Sequence, residues 1–528
     1  MNENKVSKIL PVVILGLLSL LLALFLLKVP SVSSVSVASS IDAVLDGSYQ
    51  TSISTWISDN IYGQNFLHKV YNQLKYSLLH EGADDWIIGK DGWIYSDSQS
   101  LFEISSGRSP SASYDQYLEY ADKIKQVQDA LESKGKSFCL LLDSAKAAIC
   151  PEYLPSNYQF IAEKYSSVDL LTDGDLLKQA LDARGVHYYD ATALLKELNE
   201  AGEITVFHRT GHHWTIAAAS MAVNAMFDVM RQDYPDKTFP QIQIVGKTND
   251  LFSVDTDIYD LQNIFSGKKD QNYDTPVIQY KDPSAENMFL FGTSFGYEVL
   301  QALYRNEGNR AFDTLAVYQY FTARNIGDND GLRTDSFREE QPTSDRQIMN
   351  EIRDSDIVIM EQQMLGIPST HVQWLDYVAA NLDSVYYTLG TNVACATPDQ
   401  TLVEYGNFYA VEDWGRWSKG TDSSVTLYSQ NTLAPKAAKV QLRISARACN
   451  FSNCCMVSVN GHKIGTMEID TEMKEFVLPI PSEYLKQKEN EISFLLENRF
   501  QTIYELNASG DNRSLGVGIG YLAIEEVS

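Results

Sequence analysis

Basic residues are scarce in this 528-residue chain, which has 42 Lys and Arg against 69 Asp and Glu and a formal net charge of −27 at pH 7. Contacts to phosphates need clustered Lys and Arg, so this composition argues against a nucleic-acid partner. It also argues against tight binding to an anionic surface. The simplest explanation of the acidity is that it keeps an exported domain soluble.

Cysteine is also scarce. The six cysteines are Cys139, Cys150, Cys395, Cys449, Cys454 and Cys455. Their spacing matches no metal site, and six are too few for a disulfide scaffold in a chain of this length. We therefore expect no metal, and nothing in the sequence indicates a cofactor. A bridge from Cys449 to Cys454 or Cys455, formed outside the cytoplasm, is left open.

Only one hydrophobic run, Ile9–Leu27, is long enough to span a membrane. At about 1.5 Å per residue, a helix of this length can cross a hydrocarbon core of about 30 Å. Lys5 and Lys8 precede the run, whereas only Lys28 separates it from the next basic residue, Lys69. This asymmetry predicts a cytoplasmic N-terminus with the bulk of the chain outside.

A cleaved signal peptide is the alternative to an anchor. Residues 36–38 (Ser-Val-Ala) offer the small side chains that a signal peptidase needs. A secretory apolar core is usually about 7–15 residues, which is shorter than this run. We therefore favour an uncleaved anchor at residues 1–30, followed by a Ser/Val-rich stalk at 31–49.

Residues 50–391 alternate between strand-like and helix-like patterns. Residues 86–95 predict two short strands around a turn, and the apolar spacing from Tyr117 to Leu131 predicts a helix that stops at Gly135. Buried strands are predicted at 138–142, 186–190, 288–291 and 357–360. This alternation indicates a parallel sheet with helices on both faces, whose ligands bind at the carboxyl ends of the strands. The polar residues at those ends are Asp143, Asp190, Ser294 and Glu361, of which Glu361 is expected to be structural.

Residues 392–528 show a different sequence pattern. Apolar and polar residues alternate in several short runs, and Asn460-Gly461 is typical of a two-residue hairpin turn. Short strands at this spacing predict a β-sandwich.

Two segments carry residues suited to acyl chemistry. In residues 291–296 (FGTSFG), Ser294 follows a predicted strand at a turn flanked by glycines. Such a turn exposes a nucleophile, and the backbone N–H groups of Ser294 and Phe295 could stabilise an oxyanion. An ordinary helix cap at this serine is the alternative.

The second segment, residues 209–215 (RTGHHWT), contains the adjacent histidines His212 and His213. A histidine is the usual base for a serine nucleophile near neutral pH. A structural pair or part of a metal site are the alternatives. No further ligand lies at the spacing that zinc needs, so zinc is not expected.

Four segments in order resemble the DHHW family and the related alginate O-acetyltransferases, which carry SGNH-hydrolase-like domains. The resemblance covers roughly residues 50–390. It implies that Ser294 is the nucleophile and His213 is the base. The segments are residues 89–93 (GKDGW), 144–146 (SAK) with 151–155 (PEYLP), 211–214 (GHHW) and 292–295 (GTSF).

One position departs from the family motif, because Gly211 stands where the family has an aspartate two residues before the base. That aspartate orients the imidazole and stabilises its charged form. Either another acid substitutes, or a Ser-His dyad acts alone, or the site is degenerate. Asp190 is the candidate acid by topology, with a strand-end cap as its alternative role. His212 could offer only a hydrogen bond.

Three further residues are candidates for lining a glycan site. Lys146 follows a predicted strand end and would either meet an anionic glycan or pair with an acid. The C-terminal region resembles the jelly-roll modules that accompany such enzymes, and there Trp414 and Trp417 could stack on sugar rings. Core packing is the alternative for both tryptophans.

Three functions fit these features. The first is an extracytoplasmic O-acetyltransferase that modifies hydroxyls of a cell-surface or exported polysaccharide through an acyl-Ser294 intermediate. The second is a polysaccharide acetyl esterase, with water as the acceptor. The third is a non-catalytic glycan-binding scaffold, which Gly211 favours. The resemblance also implies a partner, a multi-pass membrane acyltransferase, beside which the anchor would hold this chain in the cell membrane.

Overall fold

A computed structural model of the chain describes residues 64–83, 86–96, 111–165, 171–252, 255–306, 308–324, 345–398, 400–431, 433, 439–449, 452–497, 501–502 and 513–527, together with residues 16, 19, 45 and 47–51. Apart from those isolated positions, the predicted anchor and stalk lie outside the described residues. No helix within the described ranges is long and apolar enough to cross a membrane.

The described α-helices, numbered in chain order, are α1 (Gln64–Leu74), α2 (Tyr114–Ser133), α3 (Lys146–Ile149), α4 (Ser156–Tyr165), α5 (Asp173–Arg184), α6 (Thr192–Ala201), α7 (Ile216–Asp233), α8 (Asp257–Leu261), α9 (Gly296–Leu303), α10 (Asp345–Asp354) and α11 (Ser369–Asn381).

The strands of the N-terminal part are β1 (Trp86–Ile88), β2 (Ile94–Ser96), β3 (Ser137–Asp143), β4 (Tyr188–Asp190), β5 (Gln241–Thr248), β6 (Thr275–Lys281), β7 (Asn287–Gly292), β8 (Tyr304–Asn306), β9 (Asn309–Arg310), β10 (Thr314–Gln319), β11 (Thr322–Arg324) and β12 (Ile357–Gln363). Those of the C-terminal part are β13 (Val393–Ala394), β14 (Val403–Gly406), β15 (Arg416–Lys419), β16 (Asp422–Tyr428), β17 (Val440–Arg447), β18 (Asn453–Val459), β19 (His462–Ile469), β20 (Lys474–Ile480), β21 (Glu489–Leu496), β22 (Gln501–Thr502) and β23 (Ser514–Glu526).

The N-terminal part is built on a six-stranded sheet with the order β11-β10-β7-β12-β3-β4. All neighbours are parallel except β10 and β11. Successive residues of a strand face opposite sides, so Leu290 packs in one apolar cluster while Phe289 and Phe291 pack in the other. The predicted parallel sheet with both faces covered is therefore confirmed.

Local signals explain where the elements begin and end. Helix α2 begins with a capping box between Ser113 and Gln116, and Gly135 follows it at φ 75°. Strands β1 and β2 pair around the turn at residues 90–92, as predicted. The β5–β6 hairpin and the strands β10 and β11 were not predicted.

The C-terminal part is a sandwich of two antiparallel sheets. One has the order β13-β23-β17-β20, with β15 and β22 also on β23, and the other has the order β14-β16-β21-β18-β19. The Asn460-Gly461 turn joins β18 and β19, with both residues at positive φ, as predicted. Cys455 faces the sandwich core, whereas its neighbour Cys454 lies on the opposite face of β18. The domain limits at 30, 49 and 391 stay predictions.

Candidate active site

Ser294 lies in the turn that joins β7 to α9, at the carboxyl end of the parallel sheet. The backbone of this turn is closed by hydrogen bonds from Gly296 N to Thr293 O (3.2 Å) and from Tyr297 N to Ser294 O (3.2 Å). No side chain caps the start of α9. The Ser294 hydroxyl is therefore not an N-cap, and it points to another group.

That group is the imidazole of His213, which the loop before α7 brings to the same edge of the sheet. Its Nε2 lies 2.9 Å from Ser294 Oγ, and its Nδ1 lies 3.1 Å from Asp257 Oδ2. With the proton on Nδ1 donated to the carboxylate, Nε2 is left to accept the serine proton. The three side chains thus have the connectivity of a Ser-His-Asp triad.

Asp257 opens the short helix α8, and both of its oxygens are fixed. Oδ1 accepts hydrogen bonds from His212 N (2.9 Å) and Ile258 N (2.7 Å), which leaves Oδ2 for His213. A carboxylate at a helix N-terminus is also stabilised by the helix dipole. Asp257 thus takes the role of the aspartate that the family motif has at position 211.

Asp190 does not hold His213, so the sequence-based candidate for the acid is wrong. Its carboxylate accepts from Lys178 Nζ (2.9 Å) and Thr192 N (2.9 Å), and it caps the end of β4. The physical reason is the strand order, because β4 is an edge strand three places from β7. At about 4.8 Å between neighbouring strands, that separates the two strand ends by roughly 14 Å.

His212 lies next to the base and packs among aromatic side chains. Its ring packs edge-on against His213 (5.2 Å between centroids), Phe295 (5.5 Å) and Trp86 (5.9 Å). Burial and the neighbouring His213 lower the pKa of His212 to about 3. Its imidazole is therefore neutral at physiological pH and forms part of the lining of the site. Its backbone N–H donates a hydrogen bond to Asp257.

Lys146 neither faces a glycan position nor pairs with an acid, which corrects both sequence-based expectations for this residue. It is 1% exposed, and its ammonium donates to the carbonyls of Ile94 (2.9 Å), Arg209 (3.0 Å) and Gly211 (2.8 Å). It also lies over the ring of Trp93, 4.9 Å from the centroid. Burial lowers its pKa to about 7. Lys146 therefore ties the loop before His213 to strand β2.

One of the two predicted oxyanion donors is already used. The Phe295 N–H donates to Thr293 Oγ1 at 3.1 Å, within the turn itself. A donor bound to its own turn cannot also meet a developing oxyanion without rearrangement. The Ser294 N–H stays the predicted donor.

Several carboxyl groups lie near His213. Burial alone would lower the pKa of this imidazole, but the carboxyls of Glu298 and Asp257 favour its charged form, and the net result is a raised pKa. Glu298 is fully buried on α9, and its own pKa is raised by burial to about 8. Neither Glu298 oxygen meets a donor within the described ranges. The site is therefore arranged to stabilise an imidazolium, as a general base requires.

Trp414 and Trp417 lie in the sandwich, where they pack against each other at 5.0 Å between ring centroids. Trp417 is only 6% exposed, and burial leaves it no face for a sugar ring. The guanidinium of Arg447 covers the ring of half-buried Trp414 at 3.9 Å. Core packing thus describes Trp417, whereas a sugar contact by Trp414 stays a prediction.

Asp257 is the site residue that the sequence reasoning missed. It follows Thr256 at the start of a helix, which is a signal for a helix N-terminus. However, α8 has only five residues, and Asp255 and Asp260 lie in the same segment. Nothing in the local pattern distinguishes the acid that meets His213 from its two neighbours.

The residues of this site fall within a range that matches a known family. Residues 87–299 match the family described as "SGNH hydrolase-like domain, acetyltransferase AlgX". This range contains Ser294, His213 and Asp257, and the match confirms the resemblance to alginate O-acetyltransferases. Residues 390–526 match a family described as a domain of unknown function.

Curated relatives match over part of their length. The chain is 26% identical over 201 residues to a protein of Pseudomonas syringae pv. tomato named "Probable alginate O-acetylase AlgJ", which is 38% of this chain and 46% of that protein. It is 27% identical over 170 residues to the protein of the same name from Pseudomonas aeruginosa, which is 31% and 39% of the two chains. The chain thus spans less than half the length of these relatives.

Solved structures of two such proteins can also be superposed on the chain. AlgX of Pseudomonas aeruginosa is 12% identical and covers 84% of this chain and 95% of its own, with a TM-score of 0.37. The O-acetyltransferase domain of Pseudomonas putida AlgJ is 17% identical and covers 56% and 99%, with a TM-score of 0.32.

Proposed function

We propose that this chain is an O-acetyltransferase that transfers an acetyl group to hydroxyls of a cell-surface or exported polysaccharide. The observation that carries the proposal is the hydrogen-bonded chain from Asp257 through His213 to Ser294. The family match over residues 87–299 and the relatives named probable alginate O-acetylases support acetyl as the transferred group.

The geometry accounts for both halves of the transfer. In the first, Ser294 Oγ attacks the acetyl carbonyl of the donor while His213 Nε2 takes the hydroxyl proton, and that proton then passes to the leaving group. In the second, His213 removes the proton of a sugar hydroxyl, whose oxygen attacks the acetyl-serine. The ester moves to the sugar and Ser294 regains its proton. Asp257 stabilises the imidazolium in both halves.

A direct test uses the purified full-length chain in detergent with an acetyl-ester reporter, with and without an oligosaccharide acceptor. We expect release of the reporter to be faster with the acceptor, together with acetylated oligosaccharide in the mass spectrum. Ser294→Ala should abolish both while leaving the unfolding midpoint nearly unchanged, because a turn hydroxyl contributes little to the core. A covalent serine probe should label only the wild type. Equal labelling of both proteins would rule out Ser294.

A polysaccharide acetyl esterase is the second candidate, because water can replace the sugar hydroxyl at the same triad. Release of acetate at the same rate with and without the oligosaccharide would favour it. The scaffold function loses its main support, since the acid that Gly211 lacks is supplied by Asp257.

The proposed setting is the outer face of the cell membrane, with residues 9–27 as the anchor. The run of apolar residues and the lysines before it support this location. The resemblance supports a multi-pass membrane acyltransferase as the acetyl donor. A protease added to intact cells should digest the region after residue 40, and full protection would contradict the assignment.

A further inference from the structure

A buried carboxyl group lies directly beneath the turn that carries Ser294. Glu361 is on β12, the strand next to β7, and it is fully buried. Its Oε2 accepts a hydrogen bond from Thr293 N at 2.7 Å. The Thr293 hydroxyl lies 2.9 and 3.0 Å from the two oxygens of the same carboxyl. Glu361 thus binds the residue before the nucleophile through both backbone and side chain.

The Thr293 hydroxyl extends this contact past Ser294. It accepts the N–H of Phe295 at 3.1 Å while it donates to Glu361. The residues on both sides of Ser294 are therefore fixed to one carboxyl group. A serine held in this way has little freedom to turn its Oγ away from His213.

The two glycines of the turn leave room for this carboxyl. A Cβ atom added at Gly292 would lie 2.4 Å from Glu361 Oε2, and one added at Gly296 would lie 3.4 Å from the same oxygen. Neither glycine is among those at positive φ, so backbone conformation does not explain them. The close approach of Glu361 explains the glycine at 292, whereas at 296 an added Cβ would first meet Leu290 Cδ2 at 2.9 Å.

A second buried acidic residue, Asp143, lies at the end of β3, the strand paired with that of Glu361. It is fully buried, and no N–H or O–H donor among the described residues meets either of its oxygens. Burial together with the Glu361 carboxyl raises the pKa of Asp143 well above its usual range. Two neighbouring buried carboxyls disfavour a second negative charge, which favours the neutral form of Asp143.

We propose that Glu361 is a positioning residue, which holds the 292–296 turn so that Ser294 Oγ stays aimed at His213. This inference rests on the proposed function of the site. A group that only positions the nucleophile acts on the chemical step, because a misplacement of about 1 Å can reduce the rate about 10²-fold. Substrate binding is left nearly unchanged.

Two matched pairs of variants of the full-length chain test this role. Thr293→Val removes the hydroxyl that links Glu361 to Phe295 and keeps the shape, whereas Thr293→Ser restores the hydroxyl. Glu361→Leu removes the carboxyl, whereas Glu361→Gln keeps an oxygen acceptor for Thr293. We expect Thr293→Val and Glu361→Leu to lower kcat by about 10–10² with KM within about twofold of the wild type. Thr293→Ser and Glu361→Gln should keep a kcat close to that of the wild type.

The rate at which a covalent serine probe labels Ser294 separates the possible failures. If the wild type is not labelled, the proposed function fails and this inference fails with it. If the wild type is labelled, and Thr293→Val reacts as fast as the wild type, only the inference is overturned. The Thr293 pair decides the matter if Glu361→Leu does not fold. If Thr293→Ser and Glu361→Gln lose as much kcat as Thr293→Val and Glu361→Leu, the role is purely structural and the inference is overturned.

Discussion

Asp257 reaches His213 from a helix start that lies 44 residues further along the chain. Its second oxygen is held by the backbone of His212, the residue next to the base. The acid and the base are thus connected twice, once through the imidazole and once through the main chain. A carboxylate fixed in this way can orient the imidazole as firmly as one placed in the same segment.

Replacing Asp257 by asparagine should lower kcat by about 10⁴, because an amide cannot stabilise the imidazolium and would favour the wrong tautomer. Asp190→Asn is the matched control, since it changes an equally small carboxylate that binds Lys178 instead of His213. Steady-state rates with an acetyl-ester reporter should separate the two variants. Equal rates for Asp257→Asn and the wild type would remove Asp257 from the triad.

Gly211→Asp restores the residue of the family motif but should bring no gain in turnover. The Nδ1 atom of His213 is already bound to Asp257, and two carboxylates cannot hold the same N–H. Gly211 is also buried, and its carbonyl is held by Lys146. We expect turnover at or below the wild-type level. A tenfold or larger gain, in a variant whose circular dichroism is unchanged, would show that Asp257 does not fill the role.

The raised pKa of His213 predicts the pH dependence of the reaction. A general base acts in its neutral form, so kcat/KM should fall as the pH drops through the pKa of His213, above its ordinary value of 6.5. Asp257→Asn removes a carboxyl that favours the imidazolium, and the acid limb of its residual activity should therefore move to lower pH. A pH–rate profile of both proteins measures the shift. An acid limb that moves to higher pH would contradict this account.

At the scale of elements, the helices and strands that form the sheet edge followed from the sequence because their signals are local. The buried runs at 138–142 and 288–291 correspond to β3 and β7, and Gly135 ends α2. The triad acid could not be predicted, because its contact with His213 depends on how distant loops pack. The same holds for β10, whose residues acquire a strand conformation by pairing with β7.

Lys146 strengthens the attachment of the loop before His213 to β2, which also has a backbone hydrogen bond from Ile94 N to Arg209 O. Lys146→Met should lower the free energy of unfolding by about 3 kcal/mol, because three carbonyls would each lose a donor at about 1 kcal/mol or more. Lys178→Met is the control, since the partly exposed ion pair of Lys178 with Asp190 contributes about 1 kcal/mol or less. Urea unfolding measures both. An equal loss in the two variants would argue against the proposed attachment.

At the scale of the whole molecule, two domains of different construction share one chain. The side chain of Arg353 on α10 connects them, since it donates to Thr401 O at 2.6 Å and stacks on the ring of Tyr428 at 3.4 Å. The reaction centre lies in the α/β part, while the sandwich carries Trp414 as the predicted sugar contact. A polysaccharide acceptor, as proposed, would meet the charge of the whole chain as well as the triad.

That charge is −27, and Lys146, the cation expected beside the site, is bound to three carbonyls instead of facing a substrate. An anionic acceptor such as a uronate oligosaccharide should therefore be repelled at low ionic strength. Raising the salt from about 20 to about 200 mM shortens the screening length to below about 10 Å, so the KM for this acceptor should fall several-fold. The KM for a neutral oligosaccharide of equal length should stay constant, which controls for effects of salt on the protein. A KM for the anionic acceptor that rises with salt would instead require a local basic surface that outweighs the net charge.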